Sequence, residues 1–108
     1  MQLLQREDRP DAILAFNDII TFAAFNAIKQ KGLRIPDDVA LIGFTDDVHA
    51  RYVTPRMSAI EDQSHEIGME ACRLLLKNIS GDTKVYRKIV PQKVVIRETS
   101  AREEVNNR

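Results

Sequence analysis

The side chains that could do chemistry in this chain are few and scattered: Cys72, His49 and His65 are its only thiol and imidazoles. A single cysteine forms no internal disulfide and supplies too few thiolates for a zinc site, so Cys72 reads as a small buried apolar residue. His49 has no second histidine nearby, and His65 falls in the first turn of a helix. Both read as polar surface or interface rather than as ligands, and no metal is expected. There is no Gly-rich phosphate loop, no G-x-S-x-G elbow, no His-Glu metal pair and no nucleophile with an evident base beside it. Catalytic residues and a cofactor are therefore not expected, and the chain reads as a non-enzyme.

Charge narrows the partners. Sixteen Lys plus Arg balance sixteen Asp plus Glu, without the basic excess that marks most nucleic-acid binders. DNA contact by this polypeptide alone is not expected. The start, "MQLLQREDRPD", has no basic n-region followed by a long apolar run, and no apolar stretch reaches membrane-spanning length. With the lone cysteine, this suits a reducing, cytoplasmic setting.

The elements that must position any site are an α/β set, of a size for one small domain. Ala12 to Phe16 is an apolar run ending at Asn17-Asp18, either of which can cap a helix. A helical pattern runs from Ile19 to Lys31-Gly32, where Gly32 can adopt the left-handed conformation that closes it. Pro36-Asp37-Asp38 then breaks the chain before Val39 to Phe44, a run of the kind found in parallel sheets covered on both faces. This is a βαβ unit. Met57 to Ile60 is a plausible third strand, and Ser64 can cap a second helix through about Ile79. "KVYRKIVPQKVVIRET" reads as two strand pieces broken at Pro91, and "SAREEVNNR" as a polar, frayed tail.

Both helices carry more apolar surface than one sheet consumes. At about 100° per residue, Ile20, Ala24 and Ala27 share one face of the first, and Phe22 and Phe25 fall well round from Ile20. Either a neighbouring helix of this chain covers the phenylalanines, or they form a subunit interface. The second helix has a stripe of Ile67, Ala71, Leu74 and Leu75, which needs the three strands already counted or a surface from outside this stretch.

Five segments, "RPDAILAFND", "GLRIPDDVALIGF", "YVTPRMSAI", "EIGMEACRLLL" and "VPQKVVIRETS", together resemble the C-terminal part of the lactose/galactose repressor (LacI/GalR) family of bacterial transcription regulators. The resemblance covers roughly Leu3 to Arg102. It implies a parallel-sheet βαβ fragment of a periplasmic binding protein-like I core. Residues 1–62 would belong to the C-terminal lobe, 63–90 to the N-terminal lobe, and 91–108 to the return and tail. The helix-turn-helix DNA-binding domain would lie outside this stretch.

The resemblance also implies site residues. Asn17 matches the asparagine of the family's "ND" pair, which reaches the effector, although a plain helix cap remains its other reading. Thr45 stands after "GF" where many members have an effector-binding aspartate. Asp46 follows and is either a substitute or a solvated loop acid. Asp62 stands where a glutamine is frequent. The implied ligand is a sugar or related small molecule. The family's two-fold interface would place Thr21, Phe22, Phe25, His49 and Tyr52 against a second copy, making a homodimer or higher oligomer. A sugar-binding protein of a transport system is the alternative reading of the same core.

Overall fold

The computed structural model describes residues 2–45 and 47–102. The element order is β1 (Ala12–Ala15), α1 (Asp18–Gln30), β2 (Ala40–Phe44), α2 (Asp47–Tyr52), β3 (Ser58–Glu61), α3 (Ser64–Ile79) and β4 (Lys93–Val95), after a short 3-10 turn at Gln2–Gln5. The strands form one sheet in the order β1-β2-β3-β4, the first three parallel and β4 antiparallel to β3. The α/β class and the βαβ unit are as read from the sequence.

Local chemistry accounts for the first half. Asn17 has extended backbone angles and its Oδ1 accepts the Ile20 N–H at 2.9 Å, so the asparagine of the Asn-Asp pair is the cap. Gly32 closes α1 with φ 71°, while Leu33 N–H reaches back to the Ile28 carbonyl at 3.2 Å and Gly32 N–H to that of Lys29 at 3.0 Å. These two bonds are the Schellman arrangement.

The buried face of α1 is Thr21, Ala24 and Ile28 rather than Ile20, Ala24 and Ala27. The helix is turned about 60° from the expected setting, which leaves Ile20 half exposed. The cause is Gly43 in β2. With no side chain there, Thr21 sits so close that a Cβ on Gly43 would lie 2.8 Å from Thr21 Cβ and closer still to its Oγ1 and Cγ2. The core gathers on this side of the sheet from Ala15, Ala24, Ile28, Val39, Leu41, Ala50, Met57 and Ala59.

The opposite face is only partly covered. Leu14, Phe16, Val94 and Ile96 are exposed on it, whereas the apolar pattern of β2 implied cover on both sides. The second half of the chain departs further. Helix α3 has no fully buried residue, and it makes no extended contact with any strand. Cys72 is therefore exposed, correcting its reading as a core residue. Ser64 does not cap α3: the N-cap is Gln63 in the left-handed region, and Asp62 Oδ1 accepts the Ser64 N–H at 3.2 Å. Of the two strand pieces expected around Pro91 only β4 forms, because the residues before it meet no free sheet edge and leave Val85 and Ile89 in water. The Cα radius of gyration is 18.8 Å with a longest extent of 61 Å, against about 13 Å for a compact chain of this size.

The stretch after β4 returns to the core. Thr99 is fully buried, accepts from Ser58 N–H at 2.8 Å, and donates to the Leu41 carbonyl at 2.7 Å. It thereby bridges β2 and β3. Ser58 Oγ lies 2.6 Å from Ser100 Oγ, and Arg102 Nε donates to the Pro36 carbonyl at 2.9 Å. The start of the supposed tail is thus fixed by hydrogen bonds that its polar composition concealed.

Candidate functional site

Three neighbouring parallel strands place their C-terminal ends on one edge of the sheet, the edge where open α/β sheets bind ligands. Asn17 follows β1, Thr45 follows β2 and Asp62 follows β3. Asp46 lies outside the described residues. The topology thus gathers the three described candidates that stand up to 45 positions apart in the chain.

Their chemistry differs. The Asn17 carbonyl accepts from Thr21 N–H at 2.8 Å and Thr21 Oγ1 at 2.6 Å. With Oδ1 spent on the cap, its side-chain NH₂ is what remains to donate. Asp62 is exposed and carries one local bond, to Ser64 N–H. Thr45 is only 6% exposed, and its Oγ1 has no hydrogen-bond partner among the described residues. A buried hydroxyl without a partner costs about 1 to 3 kcal/mol.

The same edge holds a pair that sequence reasoning missed. The Phe16 and Phe44 rings lie 6.4 Å apart, inclined at 49°, and Phe16 is 79% exposed. A signal for it existed: each phenylalanine ends an apolar run, and the register that pairs Ala15 with Gly43 sets them side by side.

The five residues assigned to a partner surface are not equivalent. Thr21 is fully buried against the sheet within its own chain, so it is corrected to a core residue. Phe22 and Phe25 are half-buried and pack against the core. The His49 ring meets Phe22 edge-on at 6.2 Å, and Lys29 Nζ lies 5.1 Å above the Phe25 ring. The chain itself thus covers part of both phenylalanines. His49 and Tyr52 are exposed, Tyr52 by 82%, with Val48 beside them.

At the opposite edge lies an open groove of about 1320 Å³, lined among others by Arg51, Tyr52, Arg56, Arg97 and Glu98. Arg56 is paired with Glu98, and Arg97 donates to the Met57 carbonyl. His65 is exposed at the start of α3. Among the described residues no group of three His, Cys, Asp or Glu side chains could hold a metal, and no helix is long and apolar enough to cross a membrane.

The profile of the periplasmic binding protein-like domain matches residues 1–100. The ribose operon repressor of Haemophilus influenzae is 39% identical over 88 residues, covering 82% of this chain and 26% of that protein. Among solved structures, a LacI family transcriptional regulator from Bifidobacterium animalis is similar with TM-score 0.85 and 30% identity, over 93% of this chain and 37% of that one. The transcriptional regulator CelR in its cellobiose complex is similar with TM-score 0.81 and 31% identity, over 90% and 30%. The chain belongs to the periplasmic binding protein-like domain family, in the form found in the effector-binding cores of LacI-family transcriptional regulators. It spans about a quarter of the length of the curated relatives it matches.

Proposed function

We propose that this chain is part of the effector-binding and dimerisation core of a bacterial LacI-type transcriptional regulator. A small molecule, a sugar or a related compound, binds at the edge formed by Asn17, Thr45 and Asp62, and Asp46, next to Thr45 in the sequence, is included among the residues proposed for it. Binding there controls operator DNA held by a helix-turn-helix outside this chain, and the protein acts in the cytoplasm. The observation that carries this reading is the convergence of those residues at the ends of three parallel strands. That the named relatives are regulators supports it over a transport protein.

Residues 1–62 and 91–108 make one lobe in this reading, and 63–90 belong to the other. The solitary α3 supports that division, since it buries no residue and makes no extended contact with any strand. This stretch alone holds only a small part of the second lobe in that reading, so its own ligand binding is weak, no tighter than about millimolar. An NMR titration of the ¹⁵N-labelled chain with ribose, glucose and cellobiose tests it. Shifts confined to residues near 16–18, 44–47 and 61–64 are expected; no shift there at tens of millimolar overturns the reading.

Phe22, Phe25, His49 and Tyr52 form the homodimer surface. Sedimentation at low micromolar concentration compares the wild type with Tyr52→Asp, which alters an exposed residue and spares the core. Dimer for the first and monomer for the second is expected. An unchanged oligomer would move the interface to α3.

A further inference from the structure

We infer that the segment following α3, with Lys84, Arg87 and Lys88 exposed on it and Lys77 beside it, is a sequence-blind contact for the phosphate backbone of duplex DNA. It lies apart from the Asn17–Thr45–Asp62 edge. It also differs from a helix-turn-helix, because it touches phosphates and reads no bases.

The charge of this chain is zero only in total. Between Arg73 and Arg97 stand seven Lys or Arg and one acid, Asp82, so that stretch carries +6 and the rest of the chain −6. Asymmetry of this kind within one chain points to a polyanion that the net value conceals. The structure keeps the cations in water. Residues 82–92 lie in no helix or strand, and Lys84, Arg87 and Lys88 are exposed. None of the three forms an ion pair among the described residues. The structure also keeps them together. Lys77 Nζ lies 5.0 Å above the Tyr86 ring and the Tyr86 hydroxyl donates to Asp82, so the segment folds back on the last turn of α3. Asp82 offsets a single charge, and its other oxygen accepts the Lys84 N–H at 3.1 Å.

Duplex DNA fits this cluster better than an acidic protein does. Cations on flexible stems suit a uniform line of phosphates, which needs neither a pocket nor a fixed register. A protein interface is anchored by packed aromatic residues, and the one ring here, Tyr86, is already engaged by Lys77 and Asp82. In a regulator held on DNA by another domain the contact is intramolecular, so even a weak one adds to residence on the duplex. That last step leans on the reading given under Proposed function; the charge segregation stands without it.

Fluorescence anisotropy of two labelled duplexes of unrelated sequence, titrated with this chain, tests the inference. Both should bind alike, with a Kd on the order of 10 to 100 µM at about 50 mM salt that weakens roughly a hundredfold by about 200 mM. The triple variant Lys84→Gln, Arg87→Gln, Lys88→Gln should lose at least roughly tenfold in affinity at the lower salt, and its log–log salt slope should flatten by about one unit per charge removed. Lys88→Gln alone should flatten the slope by about one unit. Circular dichroism should show the helices unchanged in both, since these side chains are exposed. A triple variant elsewhere with the same change of net charge, Arg6→Gln, Arg9→Gln, Lys31→Gln, should bind within about twofold of wild type. Equal losses for the two triple variants would mean attraction by net charge alone and overturn the inference. So would binding confined to one duplex, or no binding at the lower salt. Polyglutamate bound as tightly as the duplex would make the partner an acidic protein and overturn the choice of DNA. None of these outcomes bears on the effector edge, which the sugar titration tests separately.

Discussion

Helices α1 and α3 are both amphipathic, yet one is built into a core and the other stands almost free. Thr21, Ala24 and Ile28 of α1 are buried against β1 and β2, whereas α3 buries nothing. The difference does not lie in the helices' own sequences, since α3 has the longer apolar stripe. It lies in what the chain sends next to them: β1 and β2 flank α1 in sequence and in space, while the strand after α3, β4, returns to pair with the far side of β3. Amphipathicity records that a helix was shaped against a surface, not which segment supplies it.

The largest effect that tests this contrast is cavity formation. Ile28 is fully buried, so Ile28→Ala should lower unfolding free energy by about 2 to 5 kcal/mol. Leu75→Ala on α3, where the leucine is 58% exposed, should change it by less than about 0.5 kcal/mol. Urea titrations followed by circular dichroism measure both. Comparable losses would show that α3 is packed in solution, and the contrast would collapse.

Next in size is the close approach of α1 to the sheet. Gly43→Ala places a Cβ against Thr21 and should cost about 1 to 3 kcal/mol by overpacking. Thr21→Ala, which shortens the obstructing side chain, should recover part of that loss in the double variant, as a double-mutant cycle would show. Gly68→Ala on α3 meets nothing within 4 Å and should be neutral or slightly stabilising, alanine being the better helix former.

The two helix starts provide a smaller comparison. Asn17→Ala removes the cap bond to Ile20 N–H and should cost about 0.5 to 2 kcal/mol. Ser64→Ala removes a hydroxyl that caps nothing, and stability should hold within about 0.5 kcal/mol. A similar cost at both positions would mean that Ser64 takes up the capping role in solution.

The division between legible and hidden parts of the fold follows the same line. The β1–α1–β2 unit was readable because its signals are local: an apolar run, Asn-Asp, a helical period and Gly32 within 33 residues. The convergence of Asn17 and Thr45 followed from that unit together with the family resemblance. The rotation of α1 was not readable, since it depends on Gly43 lying under Thr21 across the sheet. Nor was the Thr99 bridge, whose partners Leu41 and Ser58 are 58 and 41 residues away. The state of α3 lay beyond sequence pattern, because an unpartnered stripe and a buried one have the same period.

The smallest effect is a pH dependence that should appear in one half only. Asp38, in the link from α1 to β2, accepts the Arg34 N–H at 2.7 Å and its guanidinium at 3.1 and 3.2 Å, and the hydrogen bond from the Arg34 side chain is the main reason its pKa lies below 3.8. Asp82, in the link after α3, is likewise held below 3.8, chiefly by the Tyr86 hydroxyl and then by Lys84 N–H. For each, the folded pKa is depressed. The contribution is therefore present above the unfolded value and is lost as pH falls through the folded one. The consequences differ because Asp38 secures a link between two core elements, whereas Asp82 secures only the end of a helix that the core does not need. Both carboxylates are near solvent, so the effects are small and weaken with salt. Thermal melts from pH 6 down to 2.5 should show Asp38→Asn with a lower midpoint at pH 6 and a gap to wild type that closes in acid. Asp82→Asn should track wild type throughout. A matching acid-dependent gap for Asp82→Asn would mean that α3 and its link unfold together with the core.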